Sequence, residues 1–234
     1  VTRSEKSAFS TALALGVLYI ALIPQQPYPL SWLLKPLPVL IYAWLCWRAF
    51  PGAEGKVLGL GYIAAAIGDF FLDYGNRDGM FRQALLAFLV NQIAFATGFA
   101  WLSRGKRMYW LRTLPVIAYC MFLAFWLLPK SGDLLLPVSI YLVALLSMGV
   151  LACRVETKIG LLWLGAMLFV LADSLIGINK FAMPFNHSVL IIVTLYLSGQ
   201  SLIAWALMRE ARRRDCSNQH AHIGNAQCDN SAST

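Results

Sequence analysis

The amino-acid sequence predicts an all-α fold, a polytopic membrane bundle of eight transmembrane helices. Three observations lead there. Of the 234 residues, 59% are hydrophobic and 13% charged, about half the charged share of a soluble domain. Apolar stretches of about twenty residues follow one another with few breaks, and such a stretch spans a bilayer as a helix. Lys and Arg gather in the short connections, so the net charge of +8 reads as membrane topology rather than as a nucleic-acid footprint. The bilayer is therefore an expected partner and nucleic acid is not.

The elements follow in order. Helix one covers 8–24. Arg3 and Lys6 precede it as in a signal peptide, but no small-residue cleavage site follows, so it is read as a retained helix. "IPQQPYPLSW" ends it. Helix two covers 33–50 and stops at "FPGAEGK". Helix three covers 57–75 and stops at "GNRDG". Helices four and five cover 83–102 and 108–128, the latter closed by "LPKSGD". Helices six, seven and eight cover 133–153, 158–179 and 187–208. After "REARRRD" the chain turns polar, which divides it into a membrane domain, 1–210, and an unstructured cytoplasmic tail, 211–234.

Orientation follows from the basic residues. With the termini on one side, 14 of the 19 Lys and Arg fall on that side and 5 on the other: Lys35, Arg77, Arg82, Lys130 and Lys180. The bias places both termini in the cytoplasm, with a bacterial inner membrane as the expected site. Cys46, Cys120 and Cys153 lie in apolar segments and Cys216 and Cys228 in the tail, with no C-x-x-C pair, so neither a disulfide framework nor a metal ribbon is expected. His220 and His222 in the tail are read as functionless.

A short echo links "AIGDFFLD" in helix three with "VLADSLIG" in helix seven. Four helices apart, they would make two parallel four-helix halves.

Carboxylates are costly in hydrocarbon, and those found there usually face the bundle interior and mark a functional path. At about 1.5 Å rise per residue, Asp69 lies roughly 10 Å and Asp173 roughly 9 Å below the outer ends of helices three and seven. The two come from distant parts of the chain yet share a depth. Asp73 lies one turn above Asp69 on the same face. Lys35 opens helix two, Asn91 and Gln92 lie midway along helix four, and Asn179 and Lys180 close helix seven. Tyr196 lies midway along helix eight, with Gln200 a turn deeper. Helices one, five and six carry almost no ionisable residue inside. Plainer roles exist for several of these. Lys35 and Lys180 could snorkel, Asp73 could be a solvated helix end, and Asn91, Gln92 and Gln200 could glue helices together.

At these residues the chain resembles the lysoplasmalogenase family, also called YhhN-like. The matching pieces are "KPLP" at 35–38, "GDFFLD" at 68–73, "FLVNQIAF" at 88–95, "LFVLADSLIGINKF" at 168–181 and "LYLSGQSLIA" at 195–204. The resemblance implies hydrolysis of the vinyl-ether bond of a lysoplasmalogen, or a related lyso-ether lipid, to a fatty aldehyde and a glycerophospho-alcohol. It places the two catalytic aspartates on Asp69 and Asp173. Lys35, Asp73, Gln92, Asn179, Lys180, Tyr196 and Gln200 are the candidate substrate-binding residues. Many members carry His and Tyr in helix four where this chain has Gln92 and Phe95.

The chemistry suits such a pair. A vinyl ether takes a proton on its outer alkene carbon, and water attacks the resulting oxocarbenium ion. That asks for one carboxylic acid and one carboxylate, as in glycosidases; the sequence leaves open which aspartate is which. No metal or other cofactor is needed. Small residues at Gly59, Gly61, Ala64, Ala65 and Gly68 would let helices pack closely or leave room for a lipid tail. A zinc hydrolase needs about three His ligands, and His187 stands alone in the bundle. A proton-coupled transporter or lipid-binding membrane protein using the same carboxylates is the alternative reading.

Overall fold

The computed structural model of the chain describes residues 2–75, 79–155 and 160–231, with side chains as far as Arg214. Arg77 and Lys158, both in the charge balance, lie outside the described residues, as do the side chains of Cys216, His220, His222 and Cys228.

Among the described residues every regular element is helical. Helix α1 runs Arg3–Leu22. It begins five residues before the predicted start because Thr2 and Glu5 form a capping box, each side chain accepting the other's backbone N–H. A short 3₁₀ turn, Ile23–Gln25, follows. Next come α2, Ser31–Leu34, α3, Pro36–Ala49, α4, Ala53–Tyr74, and α5, Phe81–Leu102. Then follow α6, Trp110–Leu127, α7, Leu135–Arg154, α8, Leu161–Gly177, and α9, Ser188–Ser231. The backbone of α9 thus continues past the point where composition predicts an unstructured tail.

Seven helices among the described residues are long and apolar enough to cross a membrane. The predicted second span, 33–50, is divided at Lys35 into α2 and α3. Pro36 and Pro38 have no N–H to give the carbonyls one turn back, so the first turn loosens. At about 1.5 Å per residue the 14 residues of α3 reach roughly 21 Å, short of a bilayer's hydrocarbon core.

Glycines set the approaches that carry the polar residues. Gly165 on α8 and Gly199 on α9 face each other so closely that an added Cβ on either would lie 2.8–2.9 Å from the other's carbonyl oxygen. This contact packs α8, which carries Asp173, directly against α9, which carries Tyr196. On α4, a Cβ at Gly59 would strike Trp47 of α3 at 2.0 Å, and one at Gly68 would meet Phe88 of α5 at 2.8 Å. The small-residue stripe of α4 therefore serves packing on both sides. After Gly177, a π-helical turn, Ile178–Ala182, widens the end of α8. Leu30 and His187 take left-handed conformations (φ 64° and 56°) just before α2 and α9. Non-glycine residues adopt these only when their surroundings hold them there.

Candidate active site

Two aspartates are buried in the bundle, each in its own hydrogen-bonded setting. Asp69, on α4, is 1% exposed. Its Oδ1 lies 3.1 Å from Lys35 Nζ, and its Oδ2 accepts a 2.7 Å hydrogen bond from the Tyr196 hydroxyl of α9. Asp173, on α8, is 6% exposed. Its Oδ2 accepts from Gln92 Nε2 of α5 at 2.7 Å and from the Tyr141 hydroxyl of α7. Its Oδ1 has no partner. Asp69 thus has a cation beside it, whereas Asp173 is held by neutral donors.

The two carboxyls border different cavities. One, of about 150 Å³, is lined by Lys35, Asp69, Asp73, Asn179, Lys180 and Tyr196, and the first residues of α9, Ser188 and Val189, open on it. The other, of about 50 Å³, holds Asp173 and Tyr141 among Val138, Leu142, Leu145 and other apolar side chains of α5, α7 and α8. Leu72, Phe81, Phe88 and Ile176 line both and form the wall between them. A polar chamber and an apolar chamber therefore meet at a thin partition with one aspartate on each side.

The candidate residues sort themselves on this frame. Lys35 does not snorkel; it is buried against Asp69. Gln92 is more than helix glue, because it holds Asp173. Asn91 does act as glue, its amide donating to Gly61 O of α4 at 2.9 Å. Asn179 Oδ1 accepts the Phe185 N–H at 3.2 Å and so shapes the turn after α8. The Lys180 ammonium lies 5.3 Å from the centre of the Phe81 ring. Gln200 is fully buried one turn from Tyr196 and lines neither cavity. Phe95 is fully buried in core packing.

Two tyrosines escaped the sequence reading. Tyr141 on α7 holds Asp173, and Tyr19 on α1 donates to Asp73 Oδ1 at 2.7 Å. Both sit in helices that look empty when only ionisable residues are counted. Their signal was a tyrosine near the C-terminal end of α1 and near the N-terminal end of α7. Among the described residues no three His, Cys, Asp or Glu side chains come together in a group that could hold a metal.

Comparison with known proteins places this layout. The model of the YhhN family matches residues 30–207. The chain belongs to the YhhN family. It is 30% identical over 203 residues to the human lysoplasmalogenase TMEM86B, covering 84% of each chain. It is 31% identical over 155 residues to the bovine lysoplasmalogenase TMEM86A, 62% of each. A lysoplasmalogenase of Mycobacterium tuberculosis is 30% identical over 137 residues, 56% of this chain and 52% of its own. No solved structure matches. The YhhN segment spans Lys35, Gln92, Tyr141 and Tyr196, the polar partners described above for Asp69 and Asp173, and Tyr19, the partner of Asp73, lies before it.

Proposed function

We propose that this protein hydrolyses the vinyl-ether bond of a lysoplasmalogen or a related lyso-ether lipid, with Asp173 as acid and Asp69 as base. The observation that carries the reading is the placement of the two aspartates on opposite sides of one partition. The first carbons of a lysolipid tail suit the small apolar chamber, the rest of the chain lying in the bilayer, and its phosphate and glycerol suit the polar one. The vinyl ether then lies at the partition, with its outer alkene carbon toward Asp173 and its oxygen toward Asp69.

The steps balance. The Asp173 carboxylic acid gives its proton to the outer alkene carbon, leaving an oxocarbenium ion and a carboxylate. A water from the polar chamber adds to the cationic carbon while Asp69 takes its proton. The hemiacetal collapses as Asp173 removes the hydroxyl proton and Asp69 returns one to the departing glycerol oxygen. Both aspartates are restored, and fatty aldehyde and glycerophospho-alcohol are released. The division of roles rests on partners. Lys35 beside Asp69 favours the anion that a base needs. Among the described residues Asp173 has no ion-pair partner, and its Oδ1 is buried without a hydrogen-bond partner beside the apolar chamber.

We also place eight spans in the membrane, α2 and α3 together forming the second, with both termini cytoplasmic in a bacterial inner membrane. The chamber then opens toward the outer leaflet. A reporter fused after Glu210 should read cytoplasmic; a periplasmic signal would contradict the orientation. The transporter reading asks for helices broken near the membrane midplane, and the break at Lys35 lies at a helix end, which favours hydrolysis. The purified protein should release aldehyde from a 1-alkenyl lysophospholipid and spare its acyl counterpart. Absence of aldehyde would refute the reading.

A further inference from the structure

Asp73 has no part in the chemistry above, yet it is a carboxylate turned into the polar chamber. Its Oδ1 accepts from the Tyr19 hydroxyl at 2.7 Å, and Gln26 Nε2 holds that hydroxyl from behind at 3.0 Å. Its Oδ2 is buried without a partner. The phenol of Tyr28, in the loop outside the membrane spans, is also buried without one. Partial burial and then the charge of Asp73 push that phenol above its ordinary value. Asp73 borders two spaces at once. One is the chamber with Asp69; the other is an adjoining recess of about 310 Å³ with Gln26 and Ser31. Among the described residues no Lys or Arg lines that recess. Lys35, four residues after Ser31 of the recess, is engaged by Asp69.

A buried carboxylate oxygen without a donor is costly and calls for a cation or a donor to complete it. The Tyr19 ring, which lines the adjoining chamber and is bonded to Asp73, suits an organic ammonium. Charge of both signs lines the chamber: Lys180 and Asp73 both border it, as do Ser188 and Val189 of the first turn of α9. The N-terminal turn of a helix and a nearby lysine favour a phosphate. Resting on the hydrolase reading, we infer that the Asp73 recess receives the ammonium group of a zwitterionic lysolipid head group, with its phosphate toward Lys180.

The test compares 1-alkenyl lysolipids of one chain length bearing phosphoethanolamine or phosphoglycerol. The wild type should show the lower KM for phosphoethanolamine. In Asp73→Asn, which still accepts the Tyr19 hydrogen bond, the ratio of the two KM values should move about tenfold or more toward unity, as loss of a charged hydrogen bond implies. An unchanged ratio, or a wild type without preference, would overturn the assignment. A second readout does not depend on turnover. Non-hydrolysable alkyl-ether lysolipids with the same two head groups are compared by the thermal stability each confers on the full chain. Greater stabilisation by phosphoethanolamine in the wild type, lost in Asp73→Asn, supports the site even if no vinyl ether is cleaved. Equal stabilisation by free ethanolamine would overturn the lipid assignment.

Discussion

Lys35 and Asp69 form a buried ion pair, 3.1 Å apart, that joins the break between α2 and α3 to the C-terminal half of α4. The lysine is 6% exposed and the aspartate 1%. Removing one member leaves the other charge uncompensated, which costs about 3–5 kcal/mol, whereas removing both costs less or nothing. Lys35→Met should therefore unfold at clearly lower temperature than the wild type in one detergent. Lys35→Met/Asp69→Asn should regain most of the loss. Equal stability of the wild type and Lys35→Met would show that the pair does not hold the fold.

Tyr196 and Tyr141 each donate to one aspartate. Their removal leaves a buried carboxyl short of one donor without touching its acidity directly through charge. Tyr196→Phe and Tyr141→Phe should each lower kcat by about 10- to 100-fold, the scale of one well-placed hydrogen bond to a charged group. If Asp173 is the acid, its tyrosine should matter to the proton-transfer step. Tyr141→Phe should then change the solvent isotope effect on kcat, and Tyr196→Phe should change it less. Identical isotope effects in the two variants would remove the basis for assigning separate roles.

The apolar chamber gives a prediction about chain length. Leu142 lines it, away from both aspartates' hydrogen bonds. Leu142→Phe should fill the space a tail enters and lower kcat/KM on a long-chain substrate about tenfold, a loss typical of overpacked sites. A propenyl analogue, too short to need the chamber, should be hydrolysed with a smaller loss. Equal losses on both would move the tail elsewhere.

Some of this was legible in the sequence and some was not. Asp69 and Asp173 stand out because a carboxylate in an apolar stretch has few innocent explanations, and counting residues along two outward-running helices gives them one depth. The long apolar helices were legible for the same reason. The break at Lys35 was present in the Pro36 and Pro38 pattern, but composition alone still reads one continuous span. Lys35 as the partner of Asp69 was hidden because an end lysine looks the same whether it snorkels or turns inward. Tyr141 and Tyr19 were missed because tyrosine counts as an apolar aromatic in a hydropathy reading. Only the packing of α7 and α1 against the aspartates makes hydroxyl donors of them. Gln200 has the spacing of a shared face with Tyr196, but it is fully buried and lines neither chamber, which spacing alone does not reveal.

Aldehyde release from a 1-alkenyl lysophospholipid tests the aspartate pair most directly, measured side by side for the wild type, Asp69→Asn and Asp173→Asn. Asparagine keeps the shape and can still meet the tyrosine donors, but it can neither give a carboxylic proton nor carry the anion. Because Asp69→Asn leaves Lys35 without its counter-charge, Lys35→Met/Asp69→Asn is run beside it as a fold control. General acid–base catalysis is worth about 10²–10⁴-fold, so each variant should fall below about a hundredth of wild-type turnover while remaining monodisperse. Retention of more than about a tenth of wild-type turnover by either variant, well above what loss of an acid or base allows, would contradict a two-carboxylate mechanism.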